Sequence, residues 1–313
     1  MQKKLPLFYL PPTICWIDDN QLFLDAASGF FKDCYNSLTF NDPKGALDFL
    51  ISQPSLFEKI NFTRELKESD LFNVDNHLPI DINISEIAQL SVNPSAKKEI
   101  AVLIIDNNMP NIKGIEVCHA LKNQPYKKIL LTGETEPIEV IDAFNSGVID
   151  KFITKDDSNI IEKLKNNIQE LAHQYFTENT KNLLDCLEIS RPSPLSDPIF
   201  VDFFLRWIEK NQLHEFYLLD RNGSFLLRNN NDESIYFIMM SDSAKNEFLK
   251  LNSEIPAHLE SIISQVSEGK LIPFFGNGKE SWEYPYNEWS QYFFSAETLK
   301  GREQYYWAVI KYE

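Results

Sequence analysis

Cysteine is scarce in this chain of 313 residues: Cys15, Cys34, Cys118 and Cys186 are all there are. No two form a CxxC pair and no histidine cluster accompanies them, which removes a disulfide framework and a zinc site from the reading. Cys15 and Cys118 fall on apolar faces, where cysteine serves as a small hydrophobe, so a reducing, cytoplasmic setting is expected. Long apolar runs are missing as well; none approaches the roughly 20 residues of a membrane span. The stretch from Met1 to Leu10 has some character of a signal peptide. Pro11 and Pro12 interrupt it and no small-residue cleavage site follows, so it reads as a tail leading into the first strand. Basic residues are outnumbered 30 to 46, for a net charge of −16. With no dense Lys/Arg run, that balance argues against broad attachment to nucleic acid or to an anionic membrane. No internal repeat is visible.

What is present is a hydrophobic content of 43%, enough for a folded core, at a length that fits two domains. From residue 13 to about 157, strand and helix signals alternate. Strands are expected at Thr13–Ile17, Ser37–Phe40, Ile100–Ile105, Lys128–Leu131 and Lys151–Thr154. Helices are expected from Gln21 to about Asp33, from Asp42 and Pro43 through Leu50, at about Gly114–Lys122, and from Pro137 to Asn145. Ser146 and Gly147 supply a C-cap signal for the last of these. Short apolar strands separated by helices predict an α/β, doubly wound, five-stranded parallel sheet. Residues 53–97 break the rhythm with Pro54, Pro79, Pro94 and many Asn and Asp. So long a loop is read as an insertion, with short helices at Leu56–Leu66 and Ile84–Leu90.

Four of the strands run straight into polar residues. Ile17 is followed by Asp18 and Asp19, Ile105 by Asp106, Leu131 by Thr132, and Thr154 by Lys155. The C-terminal rim of an open parallel sheet is where such folds bind ligands. Three carboxylates, a hydroxyl and an ammonium are therefore expected to meet in one pocket, a set suited to reversible phosphorylation of a carboxylate. After Asp106 come Met109, Pro110 and, eight residues on, Gly114. With these elements in this order, residues 13 to about 172 resemble the receiver domain of the response-regulator family of two-component systems.

The resemblance implies a flavodoxin-like receiver in which Asp106 is the phosphoacceptor. It implies Mg2+ held by Asp19, Asp106 and the backbone carbonyl of Asn108, with Asp18 acting through water; a hard cation suits such oxygen donors. Lys155 would supply charge to the phosphoryl oxygens, and Thr132 a hydroxyl to the phosphorylated state. Phe152, three residues before Lys155, matches the aromatic that turns inward with Thr132; a plain core aromatic is the other reading. A sensor histidine kinase or phosphotransfer protein is the implied partner. Two features depart from or qualify the pattern. Asp156 stands where the family usually has proline, and Gly133 leaves access to Asp106 open. Polar Asn108 and Glu134 imply a short-lived phosphoryl group.

The receiver is thus assigned to residues 1–157, a long linker helix to 158–190, and an α+β module to 191–313. In the helix, capped by Asp157 or Ser158, Ile161, Leu164, Ile168, Leu171 and Tyr175 recur at helical steps, followed by Leu183, Leu184 and Leu187. This stripe serves either packing on the sheet or a two-stranded coiled coil, and the polar run Thr177–Asn182 interrupts it; homodimerisation is open. Arg191 to Pro198 has linker composition.

The last segment carries 23 of the 40 aromatics and four of the five tryptophans. A helix is expected at Ile199–Asn211. A hairpin follows, Glu215–Leu219 with Ser224–Leu227 around the turn Asp220–Gly223; that hairpin resembles the centre of PAS-like sensory modules. Strand Ser234–Met240, helices Asp242–Leu251 and Pro256–Ser267, strand Leu271–Phe275, an aromatic loop Trp282–Phe294 and strand Gln304–Tyr312 complete it. No basic recognition helix stands out, and 12 Lys/Arg face 18 Asp/Glu. His214 and His258 are isolated and read as surface or structural residues. Gly276–Gly278 reads as a turn rather than a phosphate loop. Trp282–Trp289 reads as a closed mini-core in preference to a recognition surface. Two functions remain: a phosphorylation-controlled regulator whose second half binds a protein or small molecule, and a receiver-gated enzyme of unrecognised type. A degenerate receiver used as a docking scaffold is a third.

Overall fold

The computed structural model describes residues 5–60, 62–64, 81–133, 138–188, 194–229, 231, 233–276 and 281–311. The chain divides into two compact units, each discontinuous in sequence. One holds residues 10–60 and 92–179; the other holds 1–9, 61–91 and 180–313.

The first unit is built on five parallel strands: β1 (Thr13–Ile17), β2 (Asn36–Phe40), β3 (Ile100–Asp106), β4 (Lys127–Thr132) and β5 (Lys151–Thr154), in the spatial order β2-β1-β3-β4-β5. Every residue of β1, β3 and β4 is buried, as near-continuous apolar strands covered on both faces must be. Helices α1 (Gln21–Phe31), α2 (Pro43–Ser52), α3 (Gly114–Ala120) and α4 (Ile138–Asn145) connect them. Asn20 caps α1, accepting from the backbone N–H of Leu22 and Phe23 at 3.1 and 3.3 Å. Asp42 caps α2, with Pro43 at its first position, where a missing N–H costs nothing. Gly147 closes α4 in the left-handed region at φ 68°, as the Ser146–Gly147 signal predicts. Cys15, Leu103, Ile105, Val117, Cys118, Leu130 and Val140 lie in one core cluster.

Helix α5 (Ile160–Glu188) is continuous for 29 residues and contributes to both units. Asp157 accepts the N–H of Asn159 at 2.8 Å in the turn that precedes it. The run Thr177–Asn182 does not break it. Thr177 Oγ1 and Asn179 Nδ2 donate back to the carbonyls of His173 and Tyr175, each at 2.8 Å. Leu164, Ile168, Leu171 and Tyr175 are buried within the chain, so the stripe serves intramolecular packing. Tyr175 donates its hydroxyl to buried Glu99, whose second oxygen accepts the N–H of Leu56 at 2.9 Å.

Two expectations about the chain ends and the insertion change. Phe8–Tyr9, read as a tail, is a strand of the other unit, paired antiparallel with residues 216–217. The insertion is divided. Its helix at Leu56–Lys59 is four residues long rather than extending to Leu66, while Thr63–Arg64 pairs with Asp81–Ile82 and a helix spans Ile84–Gln89. Residues 61–91 group with the second unit.

That unit is a six-stranded antiparallel sheet. Phe8–Tyr9 is followed in space by β6 (Leu213–Leu218), β7 (Phe225–Asn229), β8 (Ser234–Ser241), β12 (Gln304–Lys311) and β11 (Glu297–Lys300). Between β8 and β11 in the chain lie α7 (Asp242–Leu251), α8 (Glu260–Ser267) and the small pair β9 (Leu271–Pro273) and β10 (Phe293–Ser295). The Asp220–Gly223 turn forms as predicted, with Gly223 at φ 93° and Asp220 accepting the N–H groups of Asn222 and Ser224. Helix α6 (Pro198–Lys210) lays its aromatic stripe on the sheet. Phe204 stacks on Phe225 at 4.5 Å between ring centroids, and Phe203 meets Trp307 at 5.2 Å. The aromatic loop is a mini-core: Leu259, Phe275 and Trp289 pack with Phe248, Tyr284, Tyr292 and Phe293.

Candidate functional site

Because the five strands are parallel, their C-terminal ends share one rim, and the register aligns them there. Asp106, the last residue of β3, pairs with Leu131, and Thr132, the last of β4, with Thr154. Asp18 and Asp19 follow β1, and Lys155 follows β5. Asp18, Asp19 and Asp106 each offer a carboxylate oxygen, and these lie within 4.8 Å of one another. Asp18 and Asp106 are 1% and 4% exposed, whereas Asp19 faces solvent.

Lys155 Nζ stands between the two buried carboxylates, 2.7 Å from Asp18 Oδ2 and 3.0 Å from Asp106 Oδ1. Burial pushes the Asp106 carboxyl above the usual range, and the hydrogen bond from Lys155 only partly offsets it. For Lys155 burial acts downward, but the hydrogen bonds to Asp18 and Asp106 outweigh it and the ammonium is held above its ordinary value. Three carboxylates against one ammonium leave two negative charges on oxygen donors. That donor set fits a hard divalent cation.

Local structure fixes each group. The Asn20 N–H donates to Asp18 Oδ1 at 2.9 Å. Asn107 Oδ1 accepts the N–H of Ile115 at 3.2 Å, tying the loop after β3 to the first turn of α3. Gly114 packs against the backbone of Asp106; a Cβ there would lie 2.1 Å from the Asp106 carbonyl oxygen. The Lys155 N–H donates to the Thr132 carbonyl at 2.9 Å, and Asp157 closes the following turn on Thr154. These bonds hold the lysine loop where Asp156 replaces the proline of the family pattern.

Thr132 is 1% exposed, and its Oγ1 has no hydrogen-bond partner among the described residues. An unmet buried hydroxyl costs free energy, so this atom is suited to a partner that arrives later. Phe152 is half-buried and meets Phe144 edge to face at 5.8 Å. Asn108 is exposed, and Glu134 lies outside the described residues. Phe23 was not anticipated: its ring lies 4.8 Å from Lys155 Nζ. In the sequence it reads only as a member of a helical face.

His214 and His258 are exposed. In the second unit, α6 and Leu299 of β11 border an open groove of about 570 Å³, lined by Ile199, Phe203 and Trp207. Of its charged residues Asp202, Arg206 and Lys210, the first two pair with each other at 2.7 Å. No helix among the described residues is long and apolar enough to cross a membrane.

No protein-family model matches the chain, and no curated protein does. Among solved structures, the chain is similar over 99% of its length to the response regulator LqsR of Legionella pneumophila. The identity is 25% and the TM-score 0.76, with 91% of that chain covered. Partial likenesses include an adenylate cyclase from Rhodopirellula baltica, at 16% identity and TM-score 0.39 over 56% of this chain and 97% of that one. Another is the signal receiver domain of an HD domain-containing protein from Pseudomonas fluorescens Pf-5, at 15% identity and TM-score 0.36 over 53% of this chain and 98% of that one.

Proposed function

Given that the N-terminal half of this chain is a response-regulator receiver domain, we propose that Asp106 is its phosphoacceptor and that the C-terminal unit carries the output. The observation that carries the reading is the placement of Lys155. Its ammonium contacts both buried carboxylates, and its backbone N–H is bonded to Thr132, whose buried hydroxyl has no partner among the described residues.

In the forward step an oxygen of Asp106 forms a bond to the phosphorus of the donor as the bond to the leaving group breaks. The leaving group is a histidine nitrogen of a sensor kinase or phosphotransfer protein, or the acetate of acetyl phosphate. The product is an acyl phosphate, an activated species. Lys155 exchanges its bond to Asp106 for one to a phosphoryl oxygen, and the Thr132 hydroxyl donates to another. Movement of Thr132 toward the phosphoryl group opens space into which Phe152 turns, carrying Phe144 and α4 with it. Asp19, Asp106 and the Asn108 carbonyl would hold Mg2+, with Asp18 acting through water. When bound, the ion screens the negative charge gathered at the acceptor. Water attack on phosphorus returns the carboxylate, with Asn108 and Glu134 setting how long the group survives.

The output is binding of a protein or a small molecule in the cytoplasm rather than DNA recognition. The α6 groove, lined by the aromatics Phe203 and Trp207 beside the Asp202–Arg206 pair and Lys210, supports binding over chemistry in this unit. The PAS-like resemblance rests on the Asp220–Gly223 hairpin alone. The test is incubation with acetyl phosphate and Mg2+ followed by intact-mass measurement. One phosphate is expected on the wild-type chain and none on Asp106→Asn; an equal adduct on both would overturn the assignment.

A further inference from the structure

Lys155 meets a third group besides its two carboxylates. The Phe23 ring lies 4.8 Å from Nζ, half-buried at the start of α1. Its position is not incidental to the site. The Asn20 N–H donates to Asp18 Oδ1, and Asn20 Oδ1 accepts the N–H of Phe23. Asp18 Oδ2 in turn accepts from Lys155. Asp18, Asn20, Phe23 and Lys155 therefore form a closed circuit of contacts, with the ammonium at one corner and the aromatic ring at another.

An aromatic face carries negative quadrupole charge and attracts an ammonium within about 6 Å of its centroid. It does so without offering a hydrogen-bond acceptor, so it steadies the cation without competing for the protons directed at oxygen. The loop after Lys155 has Asp156 next in sequence, so no proline ring stiffens it, and 28% of the lysine side chain is exposed. A long flexible side chain in that setting loses rotamer entropy when held in one geometry.

We infer that Phe23 is a positioning residue for Lys155, holding the ammonium over the acceptor carboxylate while its oxygen partners change. This rests on the phosphoacceptor reading above. When Asp106 takes the phosphoryl group, the bond from Lys155 to Asp106 gives way to one to a phosphoryl oxygen. The face of Phe23 stays unchanged throughout and keeps the side chain from swinging into solvent.

The test is the rate of phosphorylation by acetyl phosphate across a series of magnesium concentrations, using full-length chains. Phe23→Leu keeps bulk and removes the ring face; Phe23→Tyr keeps the face. Phenylalanines carrying one, two and three ring fluorines at position 23 weaken the face stepwise at almost constant shape. Phe23→Leu should slow phosphorylation about three- to tenfold, and Phe23→Tyr should restore it. The fluorinated chains should fall in order between them. The loss should sit in the rate at saturating magnesium, with half-saturation unmoved. Fluorinated chains that all match the wild type, or a Leu variant as fast as it, would overturn the inference alone. A wild-type chain that takes no phosphate at Asp106 would overturn the phosphoacceptor reading, and this inference with it.

Discussion

Lys155 and Asp18, 137 residues apart in sequence, are joined by a 2.7 Å ion pair that is almost closed to solvent on the aspartate side. The same ammonium reaches Asp106 at 3.0 Å, so the one lysine compensates two buried carboxylates. Removing it leaves both without a cation. Breaking a fully buried pair costs about 3–5 kcal/mol. With Lys155 partly exposed, solvent screening reduces that, and Lys155→Met should lose roughly 1–2 kcal/mol in chelator. Magnesium should then stabilise the variant more than the wild type, because it replaces the missing charge. Urea unfolding of the two chains with EDTA and with magnesium checks both statements; equal midpoints in EDTA would contradict the first.

Thr132 predicts the opposite sign. Its hydroxyl is buried with no partner among the described residues, and replacing such a group by an apolar one of the same shape is neutral or stabilising. Thr132→Val is therefore expected to unfold at the same urea concentration as the wild type or higher, by up to about 1 kcal/mol. Phosphorylation should still occur, since Asp106 and Lys155 are intact. The change in hydrogen exchange across Phe152 and α4 that accompanies it in the wild type should disappear. A destabilised variant would mean that the hydroxyl already has a partner.

Glu99 gives a pH dependence away from the phosphorylation site. Burial raises its carboxyl above the ordinary value of 4.5, against the lowering effects of the Tyr175 hydroxyl and the Leu56 N–H. For an acid whose folded pKa is raised, the native state holds the proton more tightly than the unfolded chain. The contribution to stability is then complete below about 4.5 and is lost as pH rises through the folded value. Glu99→Gln imitates the protonated form and keeps that contribution. The stability of Glu99→Gln relative to wild type should grow with pH above 4.5 and then level off. Denaturation midpoints at a series of pH values test this; a difference constant with pH would show that Glu99 does not titrate differently on folding.

The receiver sheet and its acidic rim were legible because the information is local. An apolar run that stops at Asp106 or Thr132 fixes both strand and rim, and a helix opening such as Asp42–Pro43 lies beside the helix it starts. Phe23 was hidden because an aromatic in an amphipathic helix has no sequence mark that distinguishes a core contact from a cation contact. The pairing of Phe8–Tyr9 with residues 216–217 joins chain segments more than two hundred residues apart, and no periodicity encodes such a partner. Glu297–Lys300 is short and half charged, so it lacks strand alternation and becomes a strand only through its pairing with β12. The division of the insertion between two units has the same origin: Ile84–Gln89 is a short helix by itself, and its contacts with β6 place it in the second unit.

Gly133 bears on how the acceptor is reached. A Cβ at this position would lie 3.5 Å from Asn108 Nδ2, an ordinary contact, so a side chain fits without strain on the Asn108 side. We expect reagents to approach Asp106 past Asn108, along a path that glycine at 133 leaves without a side chain. Gly133→Ala should fold normally, because among the described residues the one near neighbour of an added Cβ is the amide of exposed Asn108. Gly133→Val extends branched methyls into that path. Phosphorylation by acetyl phosphate and spontaneous loss of the phosphoryl group both require a molecule to approach phosphorus or Asp106 from solvent, so both should slow by several-fold in Gly133→Val and less in Gly133→Ala. The measurement is the rise of phosphorylated mass after addition of acetyl phosphate and its decay after removal. If Val and Ala variants match the wild type in both directions, the approach to Asp106 does not pass position 133. In that case the short phosphoryl lifetime expected from Asn108 and Glu134 has to be tested at those residues instead.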